Sequence, residues 1–204
     1  MTISEQFLEA AQQFSNDKEI AEKLWHELEE KYSSSTRHYH NISHLDHMLG
    51  QLAPLKIAFR NWNVIVFAVA YHDAIYNPLQ NDNEEKSAVL AEDRLKNIGV
   101  PEEYLRKCRQ LILATKKHET GDYETNLCTD ADISILGSDS ITYNRYTNNI
   151  RQEYAIYPDI VYNHGRKKVL LHFLNMKQLF KTEEFSGPLE VQARKNLQAE
   201  LSTL

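Results

Sequence analysis

Apolar residues recur at helical spacing from the start of the chain. Phe7, Leu8, Ala11 and Phe14, then Ile20, Leu24, Trp25 and Leu28, trace one face of each of two helices, and Ser33-Ser34-Ser35-Thr36 breaks the pattern. Positions 64–71, Val-Ile-Val-Phe-Ala-Val-Ala-Tyr, are apolar on every face. A buried strand is the rival reading. The run continues through His72-Asp73-Ala74-Ile75 to a stop at Asn77-Pro78, however, and about twelve residues suit a fully buried central helix. Further helices are predicted over Asn83–Asn97, ended by Gly99 and Pro101; Glu102–Lys117, ended near Gly121; Tyr143–Ile156, ended by Pro158; Arg166–Phe180; and Leu189–Leu201. No strand-type alternation is long enough to compete, so the expected fold class is all-α, a helical bundle. Neither a linker nor an internal repeat interrupts it. One domain over residues 1–204 is expected, with a core at about 37–137 and the helices of 143–204 packed on it.

Composition narrows the partners. The chain is 42% hydrophobic and 25% charged, with a net charge of -6, which describes a soluble globular protein and argues against polymeric nucleic acid or an anionic membrane. No stretch reaches the roughly 18 apolar residues of a membrane span, and Met-Thr-Ile-Ser-Glu-Gln-Phe offers no basic leader, so a cytoplasmic protein is expected. Cys108 and Cys128 stand apart from any metal-ligand spacing and read as reduced thiols. A homo-oligomer is compatible with all of this.

The chemistry concentrates in Arg37-His-Tyr-His-Asn-Ile-Ser-His-Leu-Asp-His47, which holds four of the nine histidines. In a helix beginning near Asn41, positions 40, 44 and 47 fall on neighbouring surface. His40, at the helix start, sits further from a metal held by His44 and can face a substrate. His47 and His26 read as ordinary surface or core histidines. His72-Asp73 ends the most apolar segment, where an ionisable pair costs several kcal/mol unless it is paired or metal-bound. A helix-ending His–Asp hydrogen bond is the plainer alternative. Asp130 and Asp132, just before the apolar Ile-Ser-Ile-Leu, offer one more carboxylate. Imidazole and carboxylate donors suit a divalent ion such as Mn, Fe, Ni or Zn.

His44, His72-Asp73 and Asp132 reproduce the H...HD...D order of the HD superfamily of metal-dependent phosphohydrolases. Tyr39-His40-Asn41-Ile-Ser-His44 resembles the YHNxxH motif of the cyclic-nucleotide phosphodiesterases, whose first histidine is a general acid and whose second binds metal. The whole chain is similar to a small bacterial group of predicted HD-superfamily phosphohydrolases. The likeness runs through Arg37–His44, His72–Pro78, Asn83–Ala88, Asp130–Gly137, Arg151-Gln-Glu-Tyr154 and Ala193-Arg-Lys-Asn-Leu197. This resemblance implies an HD-type helical domain holding one or two divalent ions (Mn, Mg, Fe, Co, Ni or Zn). His44, His72, Asp73 and Asp132 are the implied ligands, with Asp132 preferred over Asp130, and His40 is the implied proton donor.

The implied reaction is hydrolysis of a phosphate ester or anhydride of a nucleotide or related small molecule, by attack of a metal-activated hydroxide. Glu84 reads either as a carboxylate orienting that water or as an acid favoured by a helix N-terminus. His118 reads either as support for a second metal or phosphate, or as a helix-end histidine. Arg37, Arg151, Arg166, Lys116 and Lys117 are the cations available to a phosphate, and Tyr39 can line the pocket or the core. Two other readings remain: an HD-type di-iron oxygenase, which asks for six ligands where five are identifiable, and a non-catalytic ligand-binding module.

Overall fold

Caps set where most of the helices begin. The computed structural model describes residues 1–204 and contains α1 (Ile3–Gln12), α2 (Lys18–Tyr32), α3 (Ile42–Leu52), α4 (Trp62–Tyr71), α5 (Asn83–Asn97), α6 (Glu102–Ala114), α7 (Tyr123–Asp132), α8 (Ser140–Glu153), α9 (Asp159–Asn175) and α10 (Glu183–Leu201). Short 3-10 segments occupy Ala53–Ala58 and Ile133–Gly137. Thr2 and Glu5 form a reciprocal cap on α1, while Asp17, Asn41, Asn61, Asp122 and Asp139 accept hydrogen bonds from first-turn amides of α2, α3, α4, α7 and α8. The fold is all-α, as the periodicity predicts.

α4 is the axis of the core. Val64 to Tyr71 are all buried, which is why this helix has no polar stripe, and α1, α3, α5 and α6 pack around it. Each fully buried valine, isoleucine or phenylalanine there contributes about 1.5–3 kcal/mol. Phe7 of α1 lies against both Phe67 and Tyr71. α10 covers the 3-10 segment Ile133–Gly137, which positions the end of α7.

The structure corrects several expected boundaries. α4 stops at Tyr71 rather than running to Ile75, because the next backbone groups are taken from outside the helix. The Asp73 amide donates to the Tyr32 hydroxyl, the Arg37 guanidinium takes the carbonyls of Asp73 and Ala74, and Ser87 engages Ile75. α6 ends at Ala114, where Thr115 turns its hydroxyl back onto the Ile112 carbonyl. α8 starts at the Asp139 cap and ends before Tyr154. α9 begins directly after Pro158, and α10 begins before Pro188, a residue the helix accommodates inside its span. α7 is absent from the sequence-based reading because Thr125, Thr129 and Asp130 are polar and yet buried, leaving no amphipathic stripe.

One close contact is testable. A Cβ on Gly137 would lie 2.6 Å from Leu189 Cβ and 3.0 Å from the Leu189 carbonyl oxygen, so backbone must move to admit it. Gly137→Ala is expected to cost about 1–3 kcal/mol in chemical denaturation, as overpacking does; an unchanged midpoint would show that α10 is free to shift.

Candidate metal centre

Three helices deliver the site. The Asn41 side chain accepts the Ser43 amide at 2.9 Å and starts α3, which places His44 in the first turn. His72 is the residue that ends α4, and its Nδ1–H donates to the Val69 carbonyl at 2.9 Å. That bond fixes the tautomer that leaves Nε2 as a donor atom for a cation. Asp132 is the last residue of α7.

These side chains converge. His44 Nε2 lies 3.2 Å from His72 Nε2 and 3.2 Å from Asp132 Oδ1, and His72 Nε2 lies 3.7 Å from the same oxygen. Two imidazole nitrogens and a carboxylate aimed at one point, with both histidines buried, form a group able to hold a metal ion. Asp73 stands at its edge, Oδ2 being 3.2 Å from His72 Nε2 but outside the mutually close set. Asp130 is not part of the site. Fully buried, it accepts from the amides of Lys181 and Thr182 and from the Thr182 hydroxyl, and it pairs with the Lys181 ammonium at 3.3 Å.

Burial and charge set the protonation states. Burial holds His44 below its usual range despite Asp132. Burial also opposes charge on His72, but Asp73 and Asp132 outweigh it and push the imidazole up to about 9. Burial would raise the two carboxyls; His72 beside Asp73, and His118 with His44 beside Asp132, hold both well below the usual carboxylate range.

His118 joins the cluster through Nε2, 2.9 Å from Asp132 Oδ2. It does so from a left-handed backbone conformation, φ 52°, a cost of about 1–2 kcal/mol for a residue with a Cβ. His40 lies just ahead of α3. Its Nε2 is 4.0 Å from Asp73 Oδ2, and its Nδ1 is 2.6 Å from Glu153 Oε2. Glu153 is itself buried, accepts the amides of Tyr39 and His40 at 2.7 and 2.8 Å, and takes the Tyr76 hydroxyl. Burial lowers the His40 pKa, but the Glu153 bond and the charges of Asp73 and Asp132 prevail and raise it.

Other expected site residues have different partners. The Arg37 guanidinium donates to the carbonyls of His40, Asp73 and Ala74 and lies over the Tyr32 ring, so it braces the backbone instead of facing a phosphate. Arg151 is held by Asp159 and by the carbonyls of Tyr154 and Tyr157, closing the α8–α9 turn. Lys117 is 71% exposed beside Glu119, and Glu84 sits 3.7 Å from the Lys116 ammonium. Tyr39 packs between His40, His44 and Tyr146 with its hydroxyl buried and unpartnered. Glu153 is a site residue that the sequence does not single out. Its only signal is the acid within Arg151-Gln-Glu-Tyr154. Arg145, also unexpected, lines a cavity of about 410 Å³ together with Tyr39, His44 and His47.

The two neighbouring aspartates separate by experiment. Asp132→Asn is expected to weaken Zn or Mn binding, measured by equilibrium titration, beyond the roughly 10–100-fold typical of an outer-shell partner. Asp130→Ala instead is expected to cost about 3 kcal/mol in thermal or chemical unfolding, as loss of a buried ion pair does. The reverse assignment of the two effects would move the centre to Asp130. No family model, curated protein or solved structure matches the chain, so the case for a metal stands on these donor atoms.

Proposed function

We propose that the protein is a metal-dependent phosphohydrolase that cleaves a phosphate ester of a small molecule, releasing an alcohol and inorganic phosphate. The observation that carries the reading is the placement of an acid–base histidine beside a cation-binding cluster: His40, held by Glu153, with its Nε2 turned toward Asp73. His44, His72 and Asp132 would hold the ion, with Asp73 at its edge and His118 as further support. When bound, a divalent ion supplies Lewis acidity toward a phosphoryl oxygen and an activated water. Imidazole with carboxylate favours Mn, Fe, Co, Ni or Zn over Mg.

The chain's own residues do the rest. Glu153 takes the Nδ1–H of His40 and favours the imidazolium, which leaves the Nε2–H as the transferable proton. At 4.0 Å from Asp73 Oδ2, that proton is not consumed by a short hydrogen bond within the protein. In R–O–PO₃²⁻ + H₂O → R–OH + HPO₄²⁻, the P–O bond to the leaving group breaks with its electron pair on oxygen. His40 protonates that oxygen, and the water's lost proton restores His40. A general acid so placed contributes about 10²–10⁴-fold. His44, held neutral by burial, stays available as a donor, and Arg145 is a cation for the phosphate on the His44 side.

The test is phosphate release from a panel of phosphate esters by protein stripped of metal and reloaded with Mn, Mg, Fe, Co, Ni or Zn, with Asp132→Asn alongside. Metal-restored turnover lost in the variant is the expected result. Oxygen uptake in place of phosphate release would overturn it in favour of di-iron chemistry. His40→Ala is expected to lower kcat by about 100-fold or more while leaving ion affinity intact. The protonated His40 is the active form and its folded pKa is raised, so activity is lost as pH rises through that pKa. Glu153→Gln removes the carboxylate that raises it and is expected to move this alkaline limb to lower pH. A limb unmoved by Glu153→Gln would take the proton-donor role away from His40.

A further inference from the structure

His40 faces two ways. Besides the cluster, it lines a cavity of about 420 Å³ next to α8 and α9, within the roughly 300–1,000 Å³ range of small-molecule pockets. Four tyrosines, Tyr146, Tyr154, Tyr157 and Tyr162, line it as well. The Tyr154 ring is stacked with that of Tyr157 at 6.2 Å and tilted against that of Tyr162 at 6.1 Å. Two of the hydroxyls are engaged by the protein: Tyr157 donates to the Pro78 carbonyl and Tyr146 accepts from Arg166. Ring carbon is therefore a large part of what the cavity offers.

Apart from His40, whose charge is paired with Glu153, the cavity presents no free charge. Its one guanidinium, Arg166, is bound by both oxygens of Glu200 at 2.7 and 2.9 Å, and no carboxylate lines the wall. A second phosphate or a carboxylate on the ligand would find no unpaired counter-ion there.

Gly165 makes room. It lies in the middle of α9, where glycine is unfavourable, yet a Cβ built on it meets nothing within 4 Å, so packing does not require it. Val161 and Val169, one turn before and after, are 51% and 43% exposed on the same cavity wall. The result is a notch in an apolar stripe of the cavity wall.

We propose that this slot holds the leaving group of the substrate, and that this group is aromatic, flat and uncharged: a nucleoside or a simple aryl alcohol. The proposal rests on the hydrolase reading, in which His40 protonates the leaving oxygen; the atom it protonates belongs to the group that lies in the slot it lines. Aromatic walls bind planar rings by stacking with little demand on identity.

The experiment pairs binding with turnover on the metal-loaded protein. Binding of adenosine, uridine and phenol is measured calorimetrically, and KM is measured for their phosphate esters and for glycerol phosphate. Aromatic esters are expected to have the lower KM, and Gly165→Phe, which fills the notch, is expected to raise their KM relative to glycerol phosphate by about 10-fold. Gly165→Leu serves if the phenylalanine variant fails to fold, and unaltered divalent-ion affinity checks either variant. Nucleosides bound more tightly than phenol would identify a nucleoside as the natural group; equal binding would identify the aryl ring alone. Equal KM for aromatic and glycerol esters, or no relative change in the filled variants, would overturn the slot. Aromatic binding lost on filling the notch, with no phosphate released from any ester, would keep the slot and sink the hydrolase reading.

Discussion

The Arg37 guanidinium ties the site together. A buried helix that ends inside a protein leaves carbonyls without intrahelical partners, and those groups must be satisfied where water is scarce. In the turn that follows α4, Arg37 takes two further carbonyls, Asp73 O at 2.7 Å and Ala74 O at 3.1 Å, and with the same group reaches His40 O at 3.1 Å. One side chain thereby fixes the turn that presents Asp73 to the segment that presents His40. It lies within cation–π distance of the Tyr32 and Tyr76 rings, and the Tyr32 hydroxyl accepts the Asp73 amide. A lysine could not make these three bonds at once from a rigid planar fork. The distances among His40, Asp73 and His72 depend on this brace.

Two carboxylates two residues apart on α7 illustrate how the fold divides labour. Asp130 points back into the protein and closes the start of α10, binding two amides, a hydroxyl and an ammonium. Every lone pair it brings is matched, so its burial is compensated locally. Asp132 points the other way, and its partners are imidazoles that can carry or give up a proton. A carboxylate satisfied by histidines is one whose surroundings a cation can replace, whereas a carboxylate satisfied by backbone amides is not. That contrast, more than proximity, separates a candidate ligand from a structural acid.

The sequence made much of this legible, for physical reasons that differ by residue. His44 and His72 could be found because a histidine three positions after a capping asparagine, and another at the end of an all-apolar helix, have few places to point. The apolar run of α4 is read correctly as a buried helix because its length exceeds that of an ordinary strand. Its end is read wrongly, since the forces that end it come from Tyr32, Arg37 and Ser87, residues distant in sequence. Arg37 and Arg151 carry motif context but no sign of what they hold; bonds to carbonyls leave no pattern in a sequence. Glu153 is hidden for a similar reason. On a polar helix an acid reads as solvated, and only the fold carries it across to the amides of Tyr39 and His40.

Unsatisfied groups and backbone strain also fall unevenly. Tyr39 Oη and His44 Nδ1 are buried without partners beside the cluster, and His118 is the one residue other than glycine with positive φ. A buried polar atom left unpaired costs about 1–3 kcal/mol, and the left-handed backbone at His118 about 1–2 kcal/mol. Neither alone marks a site, since the Tyr71 hydroxyl is equally unpartnered in the plain core. What distinguishes the cluster is coincidence: the strain at His118 serves to bring Nε2 onto Asp132, and the unpartnered His44 ring has its other nitrogen aimed at the same carboxylate. Costs that a hydrophobic substitution would relieve in the core are here the conditions for the donor atoms to meet at one point.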